Sequence, residues 1–201
     1  MERSQELQTF LNATRHAFAG SGATPEALEV ADKIFDSADA SCGTSSCPGP
    51  VEMPACEYLN SALDRARAEK GRVGALANAI AGIAPRLMWV LRPNGENDDA
   101  AFKARHANAV VVGDGGLETR DDIRIGMSLL APETRYPDHR HPPEEIYTVI
   151  SPGEWKQHAD GEFHTPGVGG FVHNVPNIIH GMRSGEAPLL AVWSLWMDEN
   201  K

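Results

Sequence analysis

The stretch that decides the fold runs from Tyr136 to Gly153 and reads YPDHRHPPEEIYTVISPG. Its potential metal ligands and proton-transfer groups include four that carry odd numbers: His139, His141, Glu145 and Tyr147. Successive side chains of a β-strand point to opposite faces, so groups two residues apart share a face. Pro142 and Pro143 interrupt regular strand pairing. If the stretch forms one bent strand, its odd-numbered groups face the same way, but the bulge or kink that the prolines indicate could shift this alternation.

Polar groups in such a position need a partner. Two imidazoles and a carboxylate that face an apolar interior are costly to bury unless something pairs with them. One transition-metal cation pairs with all three, because imidazole and carboxylate suit zinc, iron, nickel and manganese. His180 is the best candidate for a third histidine, since an antiparallel neighbouring strand could return it to the same depth. His158 and His164 flank a predicted hairpin turn, so we expect them to be solvated, and we interpret His173 as structural.

Composition and charge exclude several classes of protein. The 201-residue chain has a net charge of −10, which argues against nucleic acid as a partner, because phosphate binding requires a basic face. No apolar stretch is long enough to cross a membrane, and the start, MERSQELQTF, lacks the pattern of a secretion signal. We therefore expect a cytoplasmic protein in which Cys42, Cys47 and Cys56 are free thiols.

The chain changes character near Arg86. Residues 1–85 have apolar residues at helical spacing, with Gly20 placed to end a first helix, and with Thr24 and Pro25 placed to begin a second. From Arg86 onward, short apolar runs between Gly, Pro and Asp predict the strands of a β-sandwich or barrel. We expect a helical segment of residues 1–85 whose apolar stripes pack on a barrel of residues 86–201 or on a second chain, so a homodimer is possible.

The pattern His139-x-His141-x3-Glu145, followed by His180, resembles the two metal motifs of the cupin superfamily. The first motif departs from the cupin pattern at both ends, because Glu133 replaces its leading glycine and Gly153 comes one residue late. In the second motif Asn177 replaces the turn glycine, and asparagine tolerates the left-handed conformation well. The resemblance covers roughly residues 120–198. It implies a mainly β fold with α, in which a cupin jelly-roll barrel (a double-stranded β-helix) follows the N-terminal helical segment and binds a metal.

A narrower resemblance includes two tyrosines. Tyr136-x2-His139-x-His141-x3-Glu145-x-Tyr147, with His180 and a helical start, is similar to the short cupin-type dimethylsulfoniopropionate lyases. These metal-dependent carbon–sulfur lyases cleave dimethylsulfoniopropionate (DMSP) into dimethyl sulfide and acrylate. The resemblance implies a metal ion, which could be iron, zinc, manganese or nickel, bound by His141, Glu145 and His180 together with a further ligand. It leaves open whether His139 or Tyr147 completes the metal shell.

The chemistry of this elimination fits the residues. A base removes a proton next to the substrate carboxylate, and a metal on that carboxylate would stabilise the developing charge. A tyrosine has a pKa of about 10, and a nearby cation favours its phenolate. The resemblance favours Tyr136 as the base and Tyr147 as a metal ligand or carboxylate anchor, although the reverse assignment stays open. The zwitterionic substrate also carries a sulfonium, which aromatic faces attract, and strand alternation favours Trp193 as the inward-facing tryptophan.

Two other classes of function stay open at this point. One is a different metal-dependent cupin enzyme, such as a dioxygenase, which needs iron with open coordination positions, or an isomerase. The other is a non-enzymatic, ligand-binding cupin, which would not need a pair of tyrosines. Metal analysis together with an assay for released dimethyl sulfide discriminates among these hypotheses.

Overall fold

The computed structural model describes residues 3–92 and 98–197, and in this part of the chain five α-helices and eleven β-strands are found. The helices are α1 (Gln5–Ala19), α2 (Pro25–Ala40), α3 (Leu59–Ala68), α4 (Gly71–Ile83) and α5 (Ala100–Arg105). The strands are β1 (Thr44–Ser45), β2 (Trp89–Val90), β3 (His106–Val112), β4 (Glu118–Thr119), β5 (Ile123–Leu130), β6 (Arg135–His139), β7 (Glu144–Val149), β8 (Glu154–Gln157), β9 (Phe171–Asn174), β10 (His180–Arg183) and β11 (Leu189–Trp196). None of the described helices has the length and apolar character needed to cross a lipid bilayer.

The first two helices begin and end where their sequence signals predict. The Ser4 hydroxyl accepts a hydrogen bond from the backbone N–H of Leu7 and caps α1, which ends at Gly20. Thr24 caps α2 in the same way, with Pro25 in the first turn. These caps confirm the predicted starts of both helices and the predicted end of α1.

The strands form two sheets. The larger sheet has the order β1-β4-β3-β5-β11-β7-β9, with β2 paired to β3. The smaller sheet has the order β6-β10-β8. Side chains of the two sheets meet in one buried cluster that includes Tyr147 and Trp193 from the larger sheet and Tyr136 and Met182 from the smaller. The predicted fold class, with N-terminal helices before a strand-rich region of two facing sheets, is confirmed.

The helices cover the other face of the larger sheet. Helix α2 lies against β5, β7 and β11. One continuous core joins apolar residues of α1 to α4 with outward-facing residues of the sheet such as Ile146, Leu190 and Val192. Strand β11 therefore alternates between two environments, with Leu190 and Val192 towards the helices and Trp193 towards the second sheet.

Removing the helices should expose this sheet face. A fragment that starts at Arg86 would leave the apolar residues of β7 and β11 without cover, so we expect it to aggregate or to be poorly soluble. Size-exclusion chromatography of the fragment beside the full chain measures this. A monodisperse, fully active fragment would show instead that residues 1–85 are dispensable.

The Ser-, Gly- and Pro-rich residues 41–54 contain the short strand β1, which pairs with β4. After Gly153 comes β8, and a single bridge joins Trp155 to His164. Cys42, Cys47 and Cys56 are free thiols, and none of them lines the cavity described below.

Candidate metal centre

A cavity of about 540 Å3 lies between the inner faces of the two sheets. Six of the seven predicted site residues line it: Tyr136, His139, His141, Glu145, Tyr147 and Trp193. The seventh, His180, is 2 % exposed and lies behind this wall, with its ring centroid 4.2 Å from that of His139 and 5.0 Å from that of His141. The structure therefore brings all seven residues together.

The odd-numbered groups do not lie on one bent strand, because the chain changes from one sheet to the other at the prolines. His139 ends β6 in the smaller sheet, whereas Glu145 and Tyr147 lie on β7 in the larger sheet. Pro142 and Pro143 lie in the connection between β6 and β7. Proline has no backbone N–H, and in this connection no strand hydrogen bond requires one. The site thus forms where two sheets converge, and the odd numbering of its residues does not explain why they lie together.

A β-bulge on β6 places Tyr136 beside His139. In the pairing of β10 with β6, His180 lies opposite His139, and Met182 lies opposite Tyr136. Between these two pairs the chain moves by two residues on β10 but by three on β6. The extra residue is a bulge, and it lets Tyr136 and His139 face the same side although they are three residues apart. The same pairing confirms that an antiparallel neighbour brings His180 to the depth of His139.

Each of the three histidines has one ring nitrogen held by a backbone carbonyl. The Nδ1 atoms of His139, His141 and His180 lie 3.1, 3.0 and 3.0 Å from the carbonyl oxygens of Pro137, Pro143 and Ile178, respectively. A carbonyl oxygen can only accept, so each Nδ1 donates its proton. In a neutral imidazole the Nε2 atom then carries the lone pair that a metal requires.

The loop before β10 also holds His141 in place. Asn177 has a φ of 62°, as expected for a residue that stands where the cupin motif has a glycine. Its backbone N–H donates to the carbonyl oxygen of His141 over 2.9 Å. This bond ties the segment that carries His141 to the segment that precedes His180.

Glu145 faces two of the imidazoles. Its Oε2 atom lies 3.4 Å from Nε2 of His141 and 3.3 Å from Nε2 of His180. Burial alone would raise the pKa of Glu145, but the two imidazoles hold this pKa well below its usual range. Burial lowers the pKa of His141, and the Glu145 carboxylate outweighs this effect, so the net shift is upward. The carboxyl of Glu145 is therefore an anion, which suits a cation-binding site.

A metal ion fits this arrangement of donors. One ligand atom from each of His139, His141 and His180 lies within 4.8 Å of the other two. The buried Nε2 of His180 has no hydrogen-bond partner in the described residues, although a carboxylate lies close to it. Burial and the neighbouring His180 lower the pKa of His139 to about 4, which keeps this imidazole neutral and able to coordinate at pH 7. Three imidazoles and a carboxylate are a ligand set for zinc, iron, manganese or nickel.

A second layer of side chains orients Glu145. The Nδ2 group of Asn174, which is fully buried, donates to Oε2 of Glu145 over 2.9 Å. Gln157 in turn donates to Oδ1 of Asn174 over 2.9 Å, which fixes the amide so that its NH2 group faces the carboxylate. Sequence analysis missed both residues. An asparagine at the end of the strand FVHN was the available signal, because β-strands are depleted in asparagine.

Replacing Asn174 by alanine is expected to weaken metal binding about 10- to 100-fold, the usual effect of losing a partner of a metal ligand. Competition with a chromogenic chelator measures the affinity. Gln157→Ala is the matched control, because its side chain contacts Asn174 and the carbonyl of His173 but not Glu145, so its loss should have a smaller effect. An unchanged metal affinity in Asn174→Ala would show that Glu145 does not depend on this hydrogen bond.

Tyr136 accepts a hydrogen bond from a fixed donor. The Asn108 Nδ2 group lies 3.2 Å from the Tyr136 hydroxyl, and Ser128 donates to the other end of the same amide over 2.7 Å. Burial raises the pKa of Tyr136 to about 12, while the hydrogen bond from Asn108 and the charge of Arg92 act in the opposite direction. The Arg92 guanidinium carbon lies 5.6 Å from the centroid of this ring.

Tyr147 lies in a different electrostatic environment. It is 3 % exposed and neighbours Glu145 on β7. Burial and the charge of the Glu145 carboxylate raise the pKa of Tyr147 well above its ordinary value. A hydroxyl beside a carboxylate ionises less readily than one that faces an amide donor and an arginine, so Tyr136 is the better placed of the two to form a phenolate.

Trp193 faces the cavity, as the alternation along β11 predicts. It lies opposite Gly126 on β5 and Tyr147 on β7. A Cβ atom at Gly126 would come within 2.2 Å of the indole ring, so only glycine leaves room for this tryptophan. Trp196 instead packs against the core under the helices.

The other histidines lie outside the cavity lining. His173 contacts Glu144, with 2.8 Å between Nε2 and Oε1. His164 is exposed and bridges to Trp155 through its backbone, and His158 is exposed in a turn with a φ of 67°. The interpretation of His173 as structural and of His158 and His164 as solvated agrees with these positions.

Comparison with known proteins identifies the family. The family model described as dimethylsulfoniopropionate lyase matches residues 28–191. The chain is 30 % identical over 147 residues to a protein of Cereibacter sphaeroides named as a dimethylsulfoniopropionate lyase, DddL. This match covers 72 % of the chain but only 60 % of that relative. The chain is also 26 % identical over 189 residues to dimethylsulfoniopropionate lyase DddQ of Ruegeria pomeroyi, covering 92 % of the chain and 83 % of the relative.

Solved structures share the fold. The crystal structure of DddQ from Ruegeria pomeroyi superposes with a TM-score of 0.73 at 22 % identity, covering 99 % of this chain and 95 % of that one. A second structure, from a study of the DMSP lyases RdDddP and RnDddQII, gives a TM-score of 0.66 at 20 % identity, covering 95 % and 92 % of the two chains. Because the family model extends over most of the sequence, the chain belongs to the dimethylsulfoniopropionate lyase family.

Proposed function

We propose that this chain cleaves DMSP into dimethyl sulfide and acrylate by a base-catalysed β-elimination. One observation carries the proposal: Tyr136, whose hydroxyl accepts from Asn108, lies in the cavity wall with its ring centroid 5.0 Å from that of His139, beside a cluster of three imidazoles and a carboxylate. The family match and the curated relatives named as DMSP lyases support the same reaction.

In this reaction the base takes a proton from the carbon beside the carboxylate. The electrons of that C–H bond form the new carbon–carbon double bond, and the bond from the β-carbon to sulfur breaks. Sulfur keeps the electron pair, so neutral dimethyl sulfide leaves and acrylate remains. The proton is weakly acidic, so the base must be strong and the developing negative charge must be stabilised.

We assign the base to the Tyr136 hydroxyl. Asn108 donates to its oxygen and Arg92 lies beside its ring, so both favour the phenolate over the neutral phenol. The Asn108 amide is itself held by Ser128, so the donor stays in place during the reaction. Tyr147 lies next to Glu145 on β7, and we propose that it contacts the metal or the substrate.

We propose that His139, His141, Glu145 and His180 hold one divalent or trivalent transition-metal ion. The donor set suits iron, zinc, manganese or nickel. Such an ion would act as a Lewis acid on a substrate oxygen and would favour a nearby phenolate. The protein residues keep the three imidazoles in the required tautomer through the carbonyls of Pro137, Pro143 and Ile178.

We propose that Trp193 contacts the substrate from the wall opposite the smaller sheet. Its indole lies beside Tyr147 on the neighbouring strand and lines the cavity. Aromatic faces attract sulfonium cations, and they also pack against methyl and methylene groups.

The remaining expectations are a cytoplasmic location, no nucleic-acid partner and a possible homodimer, and sedimentation analysis would test the last of these.

The direct test is dimethyl sulfide in the headspace above purified protein and DMSP. The protein is stripped with a chelator and reloaded separately with iron, zinc, manganese or nickel, and acrylate is quantified in the same samples. Release of both products in equal amounts supports the lyase. If no metal gives dimethyl sulfide, the proposal fails and a different cupin activity has to be sought.

A further inference from the structure

We propose that Arg124 binds the carboxylate end of the substrate and selects small carboxylates for this cavity. This inference rests on the proposed function for the identity of the substrate, but its ligand chemistry can be tested without turnover. Arg124 lies on β5 and lines the same cavity as the metal cluster.

Arg124 is an arginine in the cavity wall without an anionic partner. Its Nε atom is buried and has no hydrogen-bond partner, and its guanidinium makes no ion pair within residues 3–92 and 98–197. Three other arginines with largely buried side chains are paired: Arg3 with Glu118, Arg92 with Asp98 and Arg120 with Asp122. A buried donor without an acceptor is costly, so a ligand that supplies the acceptor is favoured.

The side chain of Arg124 contacts one aromatic neighbour, Trp193. Its guanidinium carbon lies 5.9 Å from the centroid of the Trp193 ring, within the range of a cation–π contact. A guanidinium presents its donors as a planar fork that matches the two oxygens of a carboxylate. We infer that the guanidinium, which contacts Trp193 on one side, offers its remaining donors to an anion in the cavity.

The register of the sheet brings Arg124 within reach of the metal cluster. Leu195 on β11 lies opposite Arg124 on one side and opposite Glu145 on the other, so the two charged residues stand in one row. Two strand spacings separate their α-carbons by about 10 Å. An extended arginine side chain spans a large part of this distance, so one small molecule can contact both Arg124 and the centre at Glu145.

The position of Arg124 also decides which end of the substrate it meets. A sulfonium on the same face of Trp193 would lie close to a guanidinium, and like charges repel. A carboxylate in that place is attracted by the guanidinium and leaves no donor unpaired. We therefore assign one oxygen of the carboxylate to Arg124 and leave the other facing the metal cluster, while Trp193 contacts both the arginine and the methylene groups of the substrate.

The test compares propionate, which has the carboxylate but no sulfonium, with the neutral isostere propionamide. Calorimetric or NMR titration of metal-loaded wild type should show a preference for propionate. Arg124→Gln should lower the propionate affinity about tenfold or more, the size expected for a charge-assisted bond, and should leave propionamide binding and metal content unchanged. Arg183→Gln is the matched control, since it removes the same charge from an exposed arginine outside the cavity lining.

Several outcomes would overturn the proposal. One is equal propionate affinity in wild type and Arg124→Gln, and another is an equal loss in Arg183→Gln. If Arg124→Gln does not fold, Arg124→Lys keeps the charge without the fork and should bind propionate more weakly than wild type; unchanged affinity there refutes the assignment. Arg124-dependent propionate binding without dimethyl sulfide release would instead contradict only the lyase function. Where the lyase is active, Arg124→Gln should raise KM for DMSP more than it lowers kcat.

Discussion

Replacing Tyr136 by phenylalanine is expected to lower the rate of dimethyl sulfide release by about 10²-fold or more, the usual contribution of a general base. The substitution removes only the hydroxyl that accepts from Asn108. The ring contacts with Phe102 and His106 remain, because they involve the aromatic face and edge. Metal content should therefore stay at the wild-type level, and it should be measured in the same preparation.

The matched variant is Tyr147→Phe. Tyr147 is packed between Glu145, Trp193 and Trp155, so its loss should change metal binding or apparent substrate affinity along with the rate. A fully active Tyr136→Phe beside an inactive, metal-replete Tyr147→Phe would transfer the base role to Tyr147. Normal rates in both variants would exclude a tyrosine base altogether.

Removing a ligand should have the largest effect on the metal itself. Wild type is expected to bind about one transition-metal ion per chain, because one cluster of histidines is found in the described residues. His141→Ala and Glu145→Ala should each lose the ion or hold it weakly, and dimethyl sulfide release should fall with it. Elemental analysis after dialysis gives the stoichiometry.

The control for the ligand variants is His173→Ala, which removes a histidine that contacts Glu144 outside the cavity lining. Its metal content should equal that of wild type. Full metal occupancy in both His141→Ala and Glu145→Ala would move the site away from these residues. A loss of metal in His173→Ala as well would point to a general loss of stability.

Much of the fold follows from local signals in the sequence. The helix starts at Ser4 and Thr24 depend on side chains that cap the nearest backbone N–H groups, and such contacts lie within a few residues. The alternation along β11 likewise predicts which face carries Trp193, because strand periodicity is local. The metal ligands could be proposed for a similar reason, since imidazoles and a carboxylate so close in sequence are hard to explain as core residues.

The arrangement of the site could not be predicted from these signals. The bulge that places Tyr136 beside His139 appears only in the pairing of β6 with β10, which lie far apart in sequence. The partners of the reactive groups, Asn108 and Asn174, come from other strands, and nothing near them in sequence indicates what they contact. Arg124 was missed because its significance lies in the absence of an ion-pair partner among the described residues.

The chain passes from the smaller sheet to the larger sheet at Pro142 and Pro143, so the proposed metal centre joins the two sheets. His139 and His180 come from the smaller sheet and Glu145 comes from the larger, so an ion bound to all three holds the two inner faces together. An ion that binds the folded chain alone stabilises it by about 2.7 kcal/mol when its free concentration is 100 times Kd. We therefore expect metal loading to raise the resistance of this chain to unfolding, because the proposed ion would join residues of both sheets.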